Sequence, residues 1–276
     1  MSDSVTMHAD KELARLLEGA EAAGCEAGVT AAAGFLPASA RQLSGGGIAV
    51  FFGPGSPLNK AIGIGLSGPP SEADLGALEE FAHECGETVQ IELSPFADPA
   101  WMAALSGRGY QPAQMENELV RPLSEADAAP AALAGGLTVE PLTEANRALC
   151  ADLLCAGFFG PGEHPPAHRA VFEILVRRPD AAFFLARIGG RPGGAGGIGL
   201  RGKVAKLFGA ATLPESRRLG VQRALIAARF TWAVDRGASL VAVTTEPGSP
   251  SQRNMERLGF HVAYTRLLLC KPRSAE

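Results

Sequence analysis

No stretch of this sequence approaches eighteen apolar residues without a charge, which excludes a helix long enough to span a bilayer. There is no basic excess. Lysine and arginine number 25 against 29 aspartates and glutamates, for a net charge of −4, whereas general nucleic-acid binders present a basic surface to the phosphates. Cysteine is sparse. Cys25, Cys85, Cys150, Cys155 and Cys270 are odd in number, scattered, and form no C-x-x-C pair, so neither a disulfide framework nor a zinc spacing is indicated. Cys150 and Cys155 read as buried reduced thiols on one helix. The opening residues, Met1 to Ala23, are polar and acidic rather than basic and then apolar, unlike a signal peptide. The 34 glycines and 20 prolines follow no collagen-like period. With 46% hydrophobic residues over 276 positions, the chain can bury one large core or two. The expectation is a cytoplasmic protein with neither nucleic acid nor membrane as a partner.

What is present is concentrated between Thr212 and Ala233. Thr212-Leu213-Pro214-Glu215-Ser216-Arg217-Arg218-Leu219-Gly220-Val221-Gln222 reads as a strand broken at Pro214 and a turn with arginines at its neck. An unbroken apolar-periodic helix from Arg223 follows. The first N–H groups of a helix lack intrahelical partners and sit at the positive end of its dipole, so the pattern builds an anion cradle. Gly220 lets a phosphate approach the backbone where a Cβ would intrude. Further on, Ser239 to Thr245 reads as a buried strand, Pro247-Gly248-Ser249-Pro250 as a break, and Ser251 to Leu258 as a short helix stopped by Gly259 before Phe260.

Arg217-Arg218-Leu219-Gly220-Val221-Gln222 resembles the pyrophosphate loop of the GNAT superfamily of N-acetyltransferases, Q/R-x-x-G-x-G/A, with Gln222 where Gly or Ala is usual. The second segment resembles the superfamily's last motif, in which a helical Asn reaches the cofactor before a Gly-Phe turn; Asn254 takes that place. The resemblance implies acetyl-CoA as co-substrate, bound by Ala211, Thr212, Leu213, Arg217, Arg218, Leu219, Gly220, Val221, Gln222 and Asn254. It implies transfer of the acetyl group directly to an amine on a small molecule or peptide. A non-catalytic acyl-CoA sensor or scaffold is the alternative, because Met255 stands where many members carry an acidic Tyr.

The order strand, Pro break, short helix, Gly-aromatic, strand also occurs earlier. Residues 48–52 and 61–66 read as strands, Glu72 to Glu84 as a helix, Thr88 to Pro95 as a strand, Pro99 to Ser106 as a helix, and Gly109-Tyr110 as the turn. The expected fold class is therefore α+β: two tandem GNAT-like domains, each with a mixed, mostly antiparallel central sheet flanked by helices, with a homodimer as the assembly to test. Residues 1–123 form the first domain, 124–136 a linker and 137–276 the second. The first half is degenerate. Ser67-Gly68-Pro69-Pro70-Ser71-Glu72 replaces the arginine-glycine loop, and Glu72 and Asp74 would repel a pyrophosphate.

Gly194-Ala195-Gly196-Gly197-Ile198-Gly199 fits G-x-G-x-x-G, but no helix follows it, and the positions near 219, about 20 past its end, are Arg218, Leu219 and Gly220 where a dinucleotide site requires an acid. A glycine-rich hairpin between strands is the better reading. For the chemistry, an amine must lose a proton before attack. Glu246, at the end of the strand Leu240 to Thr245, is the candidate base; Glu163 and His164 lie in a loop that would have to fold over the cleft. Tyr264 is the candidate acid, with a packing role as its plainer reading; water, or an unassisted thiolate leaving group, is the alternative, since a thiol pKa is about 8.5.

Overall fold

The computed structural model describes residues 8–88, 90–129, 135–160, 162 and 164–271. Its first helix, α1 (Lys11–Ala32), starts at Asp10, whose side chain accepts from the Leu13 N–H. One stripe of α1 is buried through Leu13, Leu17, Ala20, Gly24 and Gly28. Much of that stripe is alanine and glycine, so its apolar signal is weak and the sequence reading gave no helix here. The small residues serve close approach: a Cβ at Gly24 would lie 2.5 Å from the Arg178 guanidinium, and one at Gly28 would lie 3.1 Å from the Phe52 ring.

The first half continues with β1 (Ser39–Gln42), β2 (Ile48–Phe51), β3 (Lys60–Ile62), α2 (Glu72–Glu84), β4 (Gln90–Leu93), α3 (Ala100–Gly107) and β5 (Gln111–Pro122). β3 stops earlier than its sequence suggests, because Gly63 and Gly65 adopt left-handed backbone (φ 74° and 78°) that no extended strand carries. The second half comprises β6 (Leu137–Pro141), α4 (Arg147–Phe159), α5 (Pro166–Arg177), β7 (Ala181–Ile188), β8 (Arg191–Arg201), β9 (Val204–Thr212), α6 (Val221–Val234), β10 (Leu240–Thr245), α7 (Pro250–Glu256) and β11 (His261–Cys270). Of the expected linker, residues 130–134 lie outside the described residues, and Ser124 opens a short 3-10 turn closed by Asp127.

The two halves repeat one plan. α2 joins the parallel pair β3–β4 and α6 joins the parallel pair β9–β10, as a crossover between parallel strands requires. Each half then runs through a short helix, a left-handed glycine (Gly109, φ 84°; Gly259, φ 86°) and a buried aromatic, Tyr110 or Phe260. These aromatics enter separate cores. Tyr110 packs with Leu78, Phe81 and Trp101, and Phe260 with Ile226, Phe230 and Met255; each such side chain contributes about 1.5–3 kcal/mol by burial.

The sheets expected of the two halves are joined into one of eleven strands, ordered β1-β2-β3-β4-β11-β5-β10-β9-β8-β7-β6. The last strand of each half is exchanged. β5 pairs antiparallel with β10, from Pro122 opposite Leu240 to Asn117 opposite Thr245, while β11 pairs antiparallel with β4. β5 and β11 then pair with one another at the centre.

The glycine run Gly194–Gly199 is part of β8 and not a hairpin; it is paired to β7 on one side and β9 on the other. The turns lie on either side, with Gly189, Gly190 and Gly202 at positive φ. Glycine is needed within the strand because its faces are occupied. A Cβ at Gly194 would lie 2.7 Å from Val221, and one at Gly197 would lie 2.5 Å from the Phe183 ring.

Candidate active site

Where β9 ends, Leu213 donates its N–H to the Gly193 carbonyl (3.0 Å) and Pro214–Ser216 make a 3-10 turn with Ser216 buried. Arg217 is extended. Arg218 is left-handed (φ 63°), the one non-glycine at positive φ among the described residues, and Gly220 is left-handed too (φ 84°), standing as the N-cap of α6 with no side-chain cap. Arg217, Arg218, Leu219, Gly220 and Gln222 are exposed. Val221 is buried with Leu137, Ala186 and Leu225, so only its backbone can meet a ligand. The opening N–H groups of this helix have no intrahelical partner and no capping side chain, and two arginines flank them, as an anion site requires.

β9 and β10 are paired only from Val204/Leu240 to Leu207/Val243. Beyond that point β9 bulges, with Gly209 at φ 48° and a register shift against β8 between Ala195 and Gly197. β10 runs on through Thr244 and Thr245 against β5. A split therefore opens between two parallel strands. Half-buried Ala211, Thr212 and Leu213 follow one side of it, Thr244 to Glu246 the other, and α6 begins at its mouth. The Asn254 side chain donates to Gln222 Oε1 at 3.2 Å, which brings the two sequence motifs into contact at that mouth. Glu246 is exposed, one position past the end of β10.

At the inner end of the split, Phe208, Gly209 and Thr244 also border a cavity of about 540 Å³. It lies between α1, α5 and the sheet, with Phe52, Phe158 and Phe172 in its wall and Glu21, Lys60 and Lys206 at its polar end. His164 stands near its rim, its ring 6.0 Å from that of Phe159; Glu163 lies outside the described residues.

The polar end belongs to a buried charge cluster at the seam of the halves. Lys206 lies 2.5 Å from Glu118 and 2.9 Å from Glu21; Lys60 lies 2.6 Å from Glu21 and 3.0 Å from Glu92. Arg266, 1% exposed, reaches Glu21 (3.0 Å), Glu92 (3.1 Å) and Glu116 (3.2 Å). Thr244 donates to Glu118 at 2.9 Å. Burial pushes the Glu18 carboxyl up to about 7 against the pull of Arg266. Glu21 is held well below the usual carboxylate range despite burial, because Arg266, Lys206 and Lys60 all face it. Tyr264 is placed in this cluster and not on the cavity lining. Its hydroxyl donates to Glu18 Oε1 at 2.8 Å, Phe96 packs edge-on against its ring, and burial raises its pKa above the ordinary tyrosine value. Met255 is buried in the second core.

Sequence reasoning did not find this cluster. Its signal was Glu116 and Glu118, two charges on one face of a strand, together with Glu18 and Glu21 one helical turn apart. The first half, for its part, closes the position that α6 leaves open. Ser71 caps α2, and Asp74 accepts from Ser71 Oγ (2.6 Å), Ser44 Oγ (2.6 Å) and the Gly45 N–H (2.7 Å).

Residues 148–260 match the model of the acetyltransferase (GNAT) family. Among solved structures, a GCN5-related N-acetyltransferase from Kribbella flavida is similar at 19% identity over 95% of this chain and 96% of that chain, with TM-score 0.68. A tandem GNAT protein from the clavulanic acid biosynthesis pathway is similar at 15% identity over 98% of each chain, with TM-score 0.60. A GCN5-related N-acetyltransferase from Sphaerobacter thermophilus is similar at 16% identity over 94% of this chain and 91% of that chain, with TM-score 0.56. At such identities the likeness is one of fold. No curated protein matches the sequence. Residues 148–260 thus match the GNAT acetyltransferase family, in a chain whose fold is similar to that of a tandem GNAT protein.

Proposed function

We propose that this protein transfers an acetyl group from acetyl-CoA to an amine acceptor, with one donor site per chain, in the second half. The carrying observation is adjacency along the strands: β9 and β10 part after Leu207 and Val243, the next residues Phe208, Gly209 and Thr244 border the cavity, and β9 leads on to the uncapped N-terminus of α6. In this reading the pyrophosphate lies on the N–H groups of Val221 and Gln222 between Arg217 and Arg218. The pantetheine arm follows Ala211 to Leu213, and the thioester reaches the cavity. The amine must be neutral to attack, so a base takes its proton. Glu246 is two positions beyond Thr244 and is assigned that role, directly or through one water. The first half, through residue 123, is read as the half without a donor site, because Asp74 occupies its helix N-terminus.

Gly220→Asp tests the donor site. An added Cβ would meet only Leu137, at 3.7 Å, so the fold should survive. The left-handed backbone and the new negative charge should weaken acetyl-CoA binding at least tenfold by calorimetry; unchanged affinity in the folded variant would refute the assignment. Glu246→Gln should lower turnover by about 10²–10⁴ with acetyl-CoA affinity kept, and raising the pH until the amine is neutral should restore it. Wild-type turnover at neutral pH would remove Glu246 from the mechanism.

One observation favours the sensor reading. Met255 is buried and Tyr264 is tied to Glu18, leaving neither to protonate the thiolate. Acetyl-CoA binding without thiol release across an amine panel would decide for the sensor.

A further inference from the structure

The cavity carries information about the acceptor that the donor loop does not. Most of its wall is apolar, with Phe52, Phe158, Phe172 and Phe208 contributing rings and Ile174 and Leu175 filling between them. The apolar character continues to the surface. Phe158 and Phe159 line the cavity yet remain 55% and 43% exposed, an apolar rim of the kind that marks a ligand entrance. Its volume of about 540 Å³ is that of a pocket for one small molecule. α1 closes it from the first half, and an extended peptide would have to displace that helix.

Charge decides further. Among the described residues the cavity meets two carboxylates, Glu21 and Asp180, and both are engaged. Glu21 is held by Lys60, Lys206 and Arg266 at 2.6, 2.9 and 3.0 Å. Asp180 is held by Arg178 through two contacts of 2.6 and 2.9 Å. A polycation entering this space would lose its hydration without gaining a free carboxylate, which opposes binding.

We propose that the acceptor is a small monoamine with an apolar, aryl or branched-alkyl body, bound in this cavity with its nitrogen toward Thr244 and its body against the phenylalanine wall, and that polyamines and polyamino sugars are excluded. The inference rests on the acetyl-transfer reading and refines it. In the reaction the amine nitrogen forms the amide bond to the acetyl carbon, the thioester C–S bond breaks, and the nitrogen's proton leaves to base or water as CoA departs as thiol. Cavity shape and charge thus set the specificity.

The test uses the full chain and three probes: 2-phenylethylamine, 3-methylbutylamine and spermidine, read by thiol release and mass of the acetylated product. Calorimetric binding of N-acetyl-2-phenylethylamine adds a readout independent of turnover. The two apolar amines should exceed spermidine in kcat/KM at least a hundredfold, and the acetylated product should bind. Val171→Trp fills the cavity from α5 and should raise KM for 2-phenylethylamine tenfold or more with acetyl-CoA affinity unchanged. Should that variant fold poorly, Phe158→Ala, at the exposed rim, should raise the same KM with the fold kept. Acetyl-CoA binding together with equal or better use of spermidine overturns this inference alone, as does failure of both variants to move KM. Failure of the wild-type protein to bind acetyl-CoA overturns the transfer reading and the acceptor with it.

Discussion

Arg218 holds a backbone conformation that a side chain disfavours by about 1–2 kcal/mol, and it does so in the turn before α6 with φ 63°. Glycine would relieve that strain, so the fold of the turn does not call for an arginine, and we propose that its charge is what the position uses. Arg218→Gly should leave stability unchanged or raise it by up to about 1 kcal/mol, while weakening acetyl-CoA binding through loss of a phosphate contact. The two effects have opposite signs and are separable by thermal unfolding and calorimetry; weakened binding accompanied by an equal loss of stability would reduce Arg218 to a structural residue. At this scale the local geometry was legible. The turn before α6, its left-handed glycine and the helix start were readable because that order of arginine, glycine and apolar-periodic residues specifies them, and Asn254 does meet Gln222; that these residues hold acetyl-CoA remains the proposal. The partners of Tyr264 were not legible, because Glu18 lies on the far side of the sequence and only the closed fold brings the two within 2.8 Å.

At the scale of elements, α2 and α6 occupy equivalent places and differ at their N-termini. α6 begins at an uncapped glycine; α2 begins at Ser71 in a reciprocal capping box with Asp74. Hydrogen bonds from Ser44 and Ser71 hold Asp74 at a pKa of about 2, below its usual value. A carboxylate with a depressed folded pKa stabilises the protein above its unfolded pKa of about 3.9, and that contribution is lost as pH falls toward 2. Asp74→Asn should therefore cost about 1–2 kcal/mol at neutral pH, with the difference from wild type shrinking as pH falls through that window. Urea unfolding at pH 7 and pH 2.5 checks it, and a pH-independent difference would show that the charge of Asp74 plays no part. The bounds of α2 and β10 were readable because Ser71 and Asp74 signal a helix start and Leu240 to Thr245 is an uninterrupted β-branched and apolar run. α1 was missed for the opposite reason, its buried face being drawn from Ala and Gly. β8 was misread because glycines that make room for Val221 and Phe183 look, in one dimension, like a turn.

The whole molecule is held together by exchange. β5 fills the place between β10 and β11, so neither half has a complete sheet without the other's last strand. A fragment beginning at Gly136, which the sequence presents as a separate domain, would leave β10 and β11 each facing an absent neighbour. It should be insoluble or lack a cooperative unfolding transition, whereas co-expressed pieces 1–129 and 135–276 should assemble into a complex that binds acetyl-CoA. A soluble fragment that binds acetyl-CoA alone would contradict this. Sequence periodicity exposes repeats, but it carries no information on which copy a strand pairs with.

The exchange also orders events during synthesis. Chains emerge from the ribosome N-terminus first, and the strand that covers β4 is β11, close to the other end of the sequence. Until residues 261–270 have emerged, β4 presents a bare strand edge, a template for wrong pairing, and the long-range closure that finally covers it is slow by its topology. The first half, although complete in sequence long before, is obliged to wait for the second, so the two copies of one plan reach the native state in a single late step.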